Sequence, residues 1–166
     1  MYLTLFFSSS INWYGLTQYT NQFHVFDSRR QKWLAFPNMT IPRSFFSCAV
    51  IEHPQRGIEI VAAGALNADT NMTEIFNFQD GSWREGPPLP RPYCAQVAVP
   101  YKDSFLLVSG VRSDKKVMTS TIFKYNIVDD AWELMKERVP MPREAQVAMM
   151  VAEELVPCPG HAHQFQ

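Results

Sequence analysis

The chain is poor in most of the features that would define a reactive or membrane-bound protein. Its 166 residues contain three cysteines, Cys48, Cys94 and Cys158, an odd number with no CxxC spacing. That argues against a disulfide framework or a zinc site and favours a reducing compartment. No apolar run approaches the roughly 18 residues that a membrane span needs. Charged residues make up 19% and the net charge is −1, so nothing recommends nucleic acid or an anionic membrane as a partner. The only basic doublets, Arg29-Arg30 and Lys115-Lys116, are isolated from each other. Glycine is scarce, at 7 residues against 12 prolines, and no Gly-rich phosphate loop, HExxH or GxSxG occurs. No enzyme, cofactor or metal is therefore expected.

What is present is a rhythm. Trp33, Trp83 and Trp132 lie 50 and 49 residues apart, and each follows another aromatic by seven positions: Phe26, Phe76 and Tyr125. Each also precedes an apolar-Pro-Arg triplet, ending in Arg43, Arg91 and Arg143. Self-similarity at a period of about 50 residues marks a repeat architecture. A hydrophobic fraction of 46%, with 13% aromatics, is enough to bury a core.

The middle unit has the clearest strand signals. Residues 93–99 (YCAQVAV) form an apolar run read as a buried strand, with a turn at 100–103. Residues 104–109 form a second buried strand ending at Gly110, and a polar loop follows at 112–119. Over 121–127, Phe123, Tyr125 and Ile127 alternate with Lys124 and Asn126, as in a half-exposed strand, and 131–135 make a fourth. The preceding unit repeats this with strands at 45–51, 58–63, 73–78 and 82–85, turns at 52–57 and 79–81, and a loop at 65–71 after Gly64. A single four-stranded sheet with two apolar faces cannot bury both alone, and stacking such sheets radially solves this. The expected class is all-β, with units at about 1–42, 43–90 and 91–142, the start of a further one at 143–160, and a frayed tail at 161–166.

The combination of buried strand, Gly-ended strand, aromatic-x6-Trp and Pro-Arg resembles the kelch repeat of kelch and galactose-oxidase-type β-propellers, over residues 1–160. The kelch diglycine survives only in its second position, as Ala63-Gly64 and Ser109-Gly110. Trp-Asp ends of the WD40 type are absent, and Asp80 lies three residues before Trp83 rather than the five of a sialidase-type Asp box. Residues 1–7 fall where the second strand of a blade would stand, and 145–148 (AQVA) match 95–98 at an offset of 50. Three blades are fewer than the four to eight of closed propellers. The expectation is thus a partial propeller: a piece of a longer one, or one of two copies meeting head to tail.

The tryptophans and their aromatic partners are expected as core anchors between blades. The recurring arginines are expected to hydrogen-bond nearby carbonyls, and Cys48 and Cys94 to pack as small buried thiols. His161 and His163 are too few for a metal site. The loops are where binding function resides on a rigid scaffold. Asn67, Asp69, Arg112, Asp114, Lys115 and Lys116 are the candidate contacts for a protein partner. The resemblance implies a non-catalytic interaction module, adaptor-like, such as those that present substrates to cullin-type ubiquitin ligases. The alternatives are an oxidase or carbohydrate-active propeller and a truncated propeller without a function of its own. A cytoplasmic location is expected, with secretion kept open by the Asn-Met-Thr sequons at Asn38 and Asn71.

Overall fold

The computed structural model describes residues 3–7, 10–11, 17–66 and 71–144. Among these the regular structure is entirely β. The first sheet joins β1 (Leu3–Phe7), β4 (Phe23–Asp27) and β5 (Lys32–Ala35), and a short ribbon pairs β2 (Ser10–Ile11) with β3 (Thr17–Gln18). The second sheet is a meander of β6 (Ser47–His53), β7 (Gly57–Ala63), β8 (Thr73–Asn77) and β9 (Ser82–Gly86). The third repeats it with β11 (Val97–Tyr101), β12 (Ser104–Val108), β15 (Ile122–Asn126) and β16 (Ala131–Leu134). A second ribbon joins β10 (Tyr93–Cys94), β13 (Val111–Arg112) and β14 (Val117–Met118). All pairings are antiparallel. β1 pairs with β4 as β7 does with β8, so the first sheet begins at the place of a second strand.

The seven-residue aromatic spacing is a cross-strand pairing. Phe26 lies opposite Trp33, Phe76 opposite Trp83, and Tyr125 opposite Trp132. The ring centroids are 5.2, 5.3 and 5.0 Å apart in the three pairs. Each hairpin between them is closed in the same way. The side-chain oxygens of Asp27, Asn77 and Asn126 accept N–H bonds from the residues two and three positions on. Four residues later Gln31, Gly81 and Asp130 adopt left-handed backbone, with φ of 51°, 64° and 51°.

Neighbouring sheets pack face to face through two apolar clusters. Phe23 and Val25 of the first sheet meet Ile60 and Phe76 of the second, with Phe36, Phe78 and Trp83 around them. Ile51, Val61 and Ile75 of the second meet Phe105, Leu107, Phe123 and Tyr125 of the third, with Trp132 at the edge. The innermost strands β6 and β11 approach each other, which sets the sheets radially as in a partial propeller.

Three local expectations are corrected. The strand expected over 93–99 is two pieces, because the Tyr93 carbonyl accepts from Ala65 at 2.9 Å and Ala95 turns left-handed to donate to the Phe45 carbonyl at 2.7 Å. Pro100 and Tyr101 lie in β11 rather than in a turn. A proline is tolerated there because β11 is an edge strand, and the hairpin tightens to Lys102-Asp103. The loop at 112–119 carries the β13–β14 pairing. The expected beginning of a further unit, from residue 145 on, and the tail lie outside the described residues.

Gly64 and Gly110 survive for a steric reason. A Cβ on Gly64 would stand 2.3 Å from the Tyr93 carbonyl oxygen, and one on Gly110 would stand 2.6 Å from that of Cys94. Both have positive φ, 74° and 90°. Gly81 shares the positive φ, but nothing lies within 4 Å of its missing Cβ. Gly81→Ala is therefore expected to cost about 1 kcal/mol of conformational strain, and Gly64→Ala roughly 3 kcal/mol or more because backbone must also move. Urea unfolding of the two variants checks this; equal losses would contradict it.

Candidate interaction face

The hairpins β6–β7, β8–β9, β11–β12 and β15–β16 turn at one end of the sheets, here the turn face. The connections from second to third strand and the linkers between sheets emerge at the other, the loop face. The two ends differ in what holds them.

At the loop face the linkers are tied to the sheets by recurring bonds. Asn21 donates its amide to the Met39 carbonyl at 3.0 Å while its own carbonyl accepts from Met39 N–H at 2.8 Å. Asn71 and Leu89 repeat this with both bonds at 2.8 Å, and Val139 donates to the Ser120 carbonyl at 3.0 Å. The carboxamide of Asn71 is thereby committed to the fold, whereas Asn38, the other sequon residue, is exposed.

The indoles bridge sheets. Trp83 Nε1–H donates to the Pro37 carbonyl at 2.8 Å, and Trp132 Nε1–H to the Pro87 carbonyl at 3.0 Å and the Thr73 hydroxyl at 3.2 Å. Each acceptor carbonyl belongs to the linker that leaves the preceding sheet. Trp33 departs from the expectation of a core anchor: it is 58% exposed, because no described sheet covers that face of the first one.

The three arginines of the repeat also part company. Arg43 is fully buried and donates to the Gly64 and Met72 carbonyls, both at 2.8 Å, and to Glu74 Oε2 at 3.1 and 3.3 Å. Burial pulls its pKa below the usual arginine value, against the stabilising carboxylate of Glu74. Glu74 in turn accepts from the backbone N–H groups of Thr40 and Ile41 at 2.7 and 3.2 Å. Arg91 and Arg143 are exposed instead. Glu74 lies two residues before Phe76, and the matching place before Tyr125 holds Phe123, so Arg91 has no buried acid to enter for. The pairing of Arg43 with Glu74 was not foreseen from sequence, although the Glu at that one unit is its only signal.

Of the six candidate contacts, Asn67 and Asp69 lie outside the described residues. Arg112, Asp114, Lys115 and Lys116 gather on the β13–β14 turn, where the last three are exposed. Arg112 grips Asp114 at 2.6 and 3.2 Å. That hydrogen bond, with the charges of Arg112 and Lys115, holds the Asp114 carboxyl below its ordinary range. The turn is fastened to the second sheet by the Ser113 hydroxyl, which donates to the Ala65 carbonyl at 2.9 Å.

At the turn face an acid network centred on the buried Glu59 joins the second and third sheets, and no sequence signal pointed to it. Glu59 is fully buried and accepts from Arg56 at 2.9 and 3.2 Å, from Asn77 at 3.3 Å and from Arg84 at 3.5 Å. Arg84 reaches on to Asp130 at 2.8 Å, and Asp130 accepts the Tyr125 hydroxyl. Burial and that bond both raise the Tyr125 phenol. Burial alone would raise Glu59 and Asp130, but the hydrogen bonds and cations around them outweigh it and both sit low.

Reactive chemistry has little to work with. Burial pushes the Cys48 thiol up to about 11, and burial also raises Cys94. Neither presents a thiolate at neutral pH. Among the described residues no three His, Cys, Asp or Glu side chains converge as metal ligands, and no helix is long and apolar enough to cross a membrane.

Comparison with known proteins places these features. No family model matches the chain. A curated relative, the kelch-like protein terF of Aspergillus terreus, is 25% identical over 134 residues, which is 75% of this chain. The chain spans 28% of that protein's length. The similarity and the successive four-stranded sheets together fit a kelch-type propeller.

The acid network has a pH signature. Folded values below the unfolded ones mean that the stabilisation is complete above the unfolded carboxylate range of about 4 and is lost as pH falls through the folded values. Stability is expected to hold between about pH 7 and 5 and to decline below about 4.5. Arg84→Met, which removes the cation shared by Glu59 and Asp130, should lower the plateau and make the decline shallower in urea unfolding at each pH. An unchanged slope would contradict the assignment.

Proposed function

We propose that the chain is a non-catalytic protein-interaction module, adaptor-like, whose loop face receives a partner protein. The single observation that carries this is the asymmetry of the two ends. The turn face is closed by an ionic network centred on the buried Glu59, while the loop face projects the β13–β14 turn from a braced sheet with Lys115 and Lys116 exposed. Positioning of a variable loop on a rigid scaffold is how repeat sheets generate binding surfaces. The likeness to a kelch-like protein supports the same assignment. Two free, inert cysteines and the structural use of Asn71 accord with a cytoplasmic location.

Site-specific photo-crosslinking tests the proposal. A photo-reactive residue at position 116 should trap a discrete protein partner in cells, and the same residue at position 103 on the turn face should not. Trapping from position 103 alone, or from neither, would contradict it.

A further inference from the structure

Four side chains among the described residues close a hairpin by accepting the backbone N–H groups two and three positions on. Three are the Asx residues Asp27, Asn77 and Asn126. The fourth is His53 at the end of β6, whose Nδ1 accepts from Gln55 and Arg56, both at 3.1 Å. A backbone amide only donates, so Nδ1 carries a lone pair and the ring proton sits on Nε2. Asparagine does not titrate, and a carboxylate keeps its acceptor role down to about pH 4. An imidazole changes charge between about pH 5 and 8, and its charged form bears a proton on both nitrogens. Of the four, His53 alone is turned from acceptor into donor by weak acid.

The ring is 6% exposed and lines two clefts at the turn face, of about 650 and 200 Å³. Glu52 and Arg56 face these clefts from its own hairpin, and Lys102 and Asp103 from the β11–β12 turn. Gln79 of the β8–β9 turn and Val128 of the β15–β16 turn line them without charge. Two carboxylates thus stand against two cations, and Arg56 is already paired with Glu59 at 2.9 Å. The turn ends at Gly57, whose φ of 71° is a left-handed conformation that glycine adopts at little cost. We infer that His53 is a proton-operated latch on the β6–β7 turn: the charged ring releases the Gln55 and Arg56 amides, turns to Glu52 and Asp103, and the turn opens. Arg56 leaves Glu59 with it, while Asn77 and Arg84 stay on Glu59, so the change is confined to the turn. The latch is at the opposite end of the sheets from the loop face and does not rest on the interaction role proposed there.

NMR on the nitrogen-labelled full chain, taken from about pH 8 to 5, tests the latch. At the upper end the His53 ring should carry its proton on Nε2. As the ring titrates, the Gln55 and Arg56 amides should shift with the same midpoint. Their protection against hydrogen exchange should fall about tenfold or more. His53→Asn, which keeps an acceptor in place but takes up no proton, should hold both amides protected across the range. The urea midpoint of both proteins should stay level, since only the turn opens. A ring proton on Nδ1 at the upper end, amides that ignore the ring, or an equal response in His53→Asn would overturn the inference. So would a urea midpoint that falls as the ring titrates, because the amides would then be lost in global unfolding.

Discussion

The architecture depends on one contact: an indole paired across its hairpin with an aromatic ring, whose N–H reaches the linker of the preceding sheet. Phe76–Trp83 and Tyr125–Trp132 supply it at the two described junctions. The ring pair fixes strand register, since a slip of one residue would send the indole to the opposite face. The N–H then ties the indole to the linker of the preceding sheet, each such bond contributing about 1 kcal/mol. Packing energy and orientation thus come from the same side chain. Trp33 pairs with Phe26 in the same way and is 58% exposed.

Around that contact the two ends of the sheets are managed differently. The turn face closes with Glu59, Arg84, Asp130 and Tyr125, a network that joins neighbouring sheets through charge. Glu59 is fully buried, so removing a cation that faces it is costly, whereas the half-exposed Arg84–Asp130 pair adds little by itself. The loop face instead commits its backbone, through Asn21, Asn71 and Ser113, and leaves cationic side chains outside.

Much of this was legible in the sequence because repetition averages out local ambiguity. The aromatic-x6-Trp spacing is readable as a hairpin register once three copies are seen, and Gly64 and Gly110 mark the ends of second strands. The Asx residue six places before each tryptophan, Asp27, Asn77 and Asn126, was equally available as a turn signal but varies in type. Strand ends at 93–101 were missed because inter-sheet bonds to Ala65 and Phe45 decide them, and these partners are about 30 to 50 residues away in sequence. The Arg43–Glu74 pair and the Glu59 network escaped for another reason. Each occurs in one unit only, so periodicity carried no information about it.

The central claim is that indole N–H bonds to linker carbonyls tie adjacent sheets. Hydrogen exchange at the indole nitrogens, followed by NMR on nitrogen-labelled protein, measures it directly. The account predicts that Trp83 and Trp132 exchange slowly, at rates like the backbone amides of β8 and β15. Exchange of either indole at the rate of a free tryptophan side chain would contradict it.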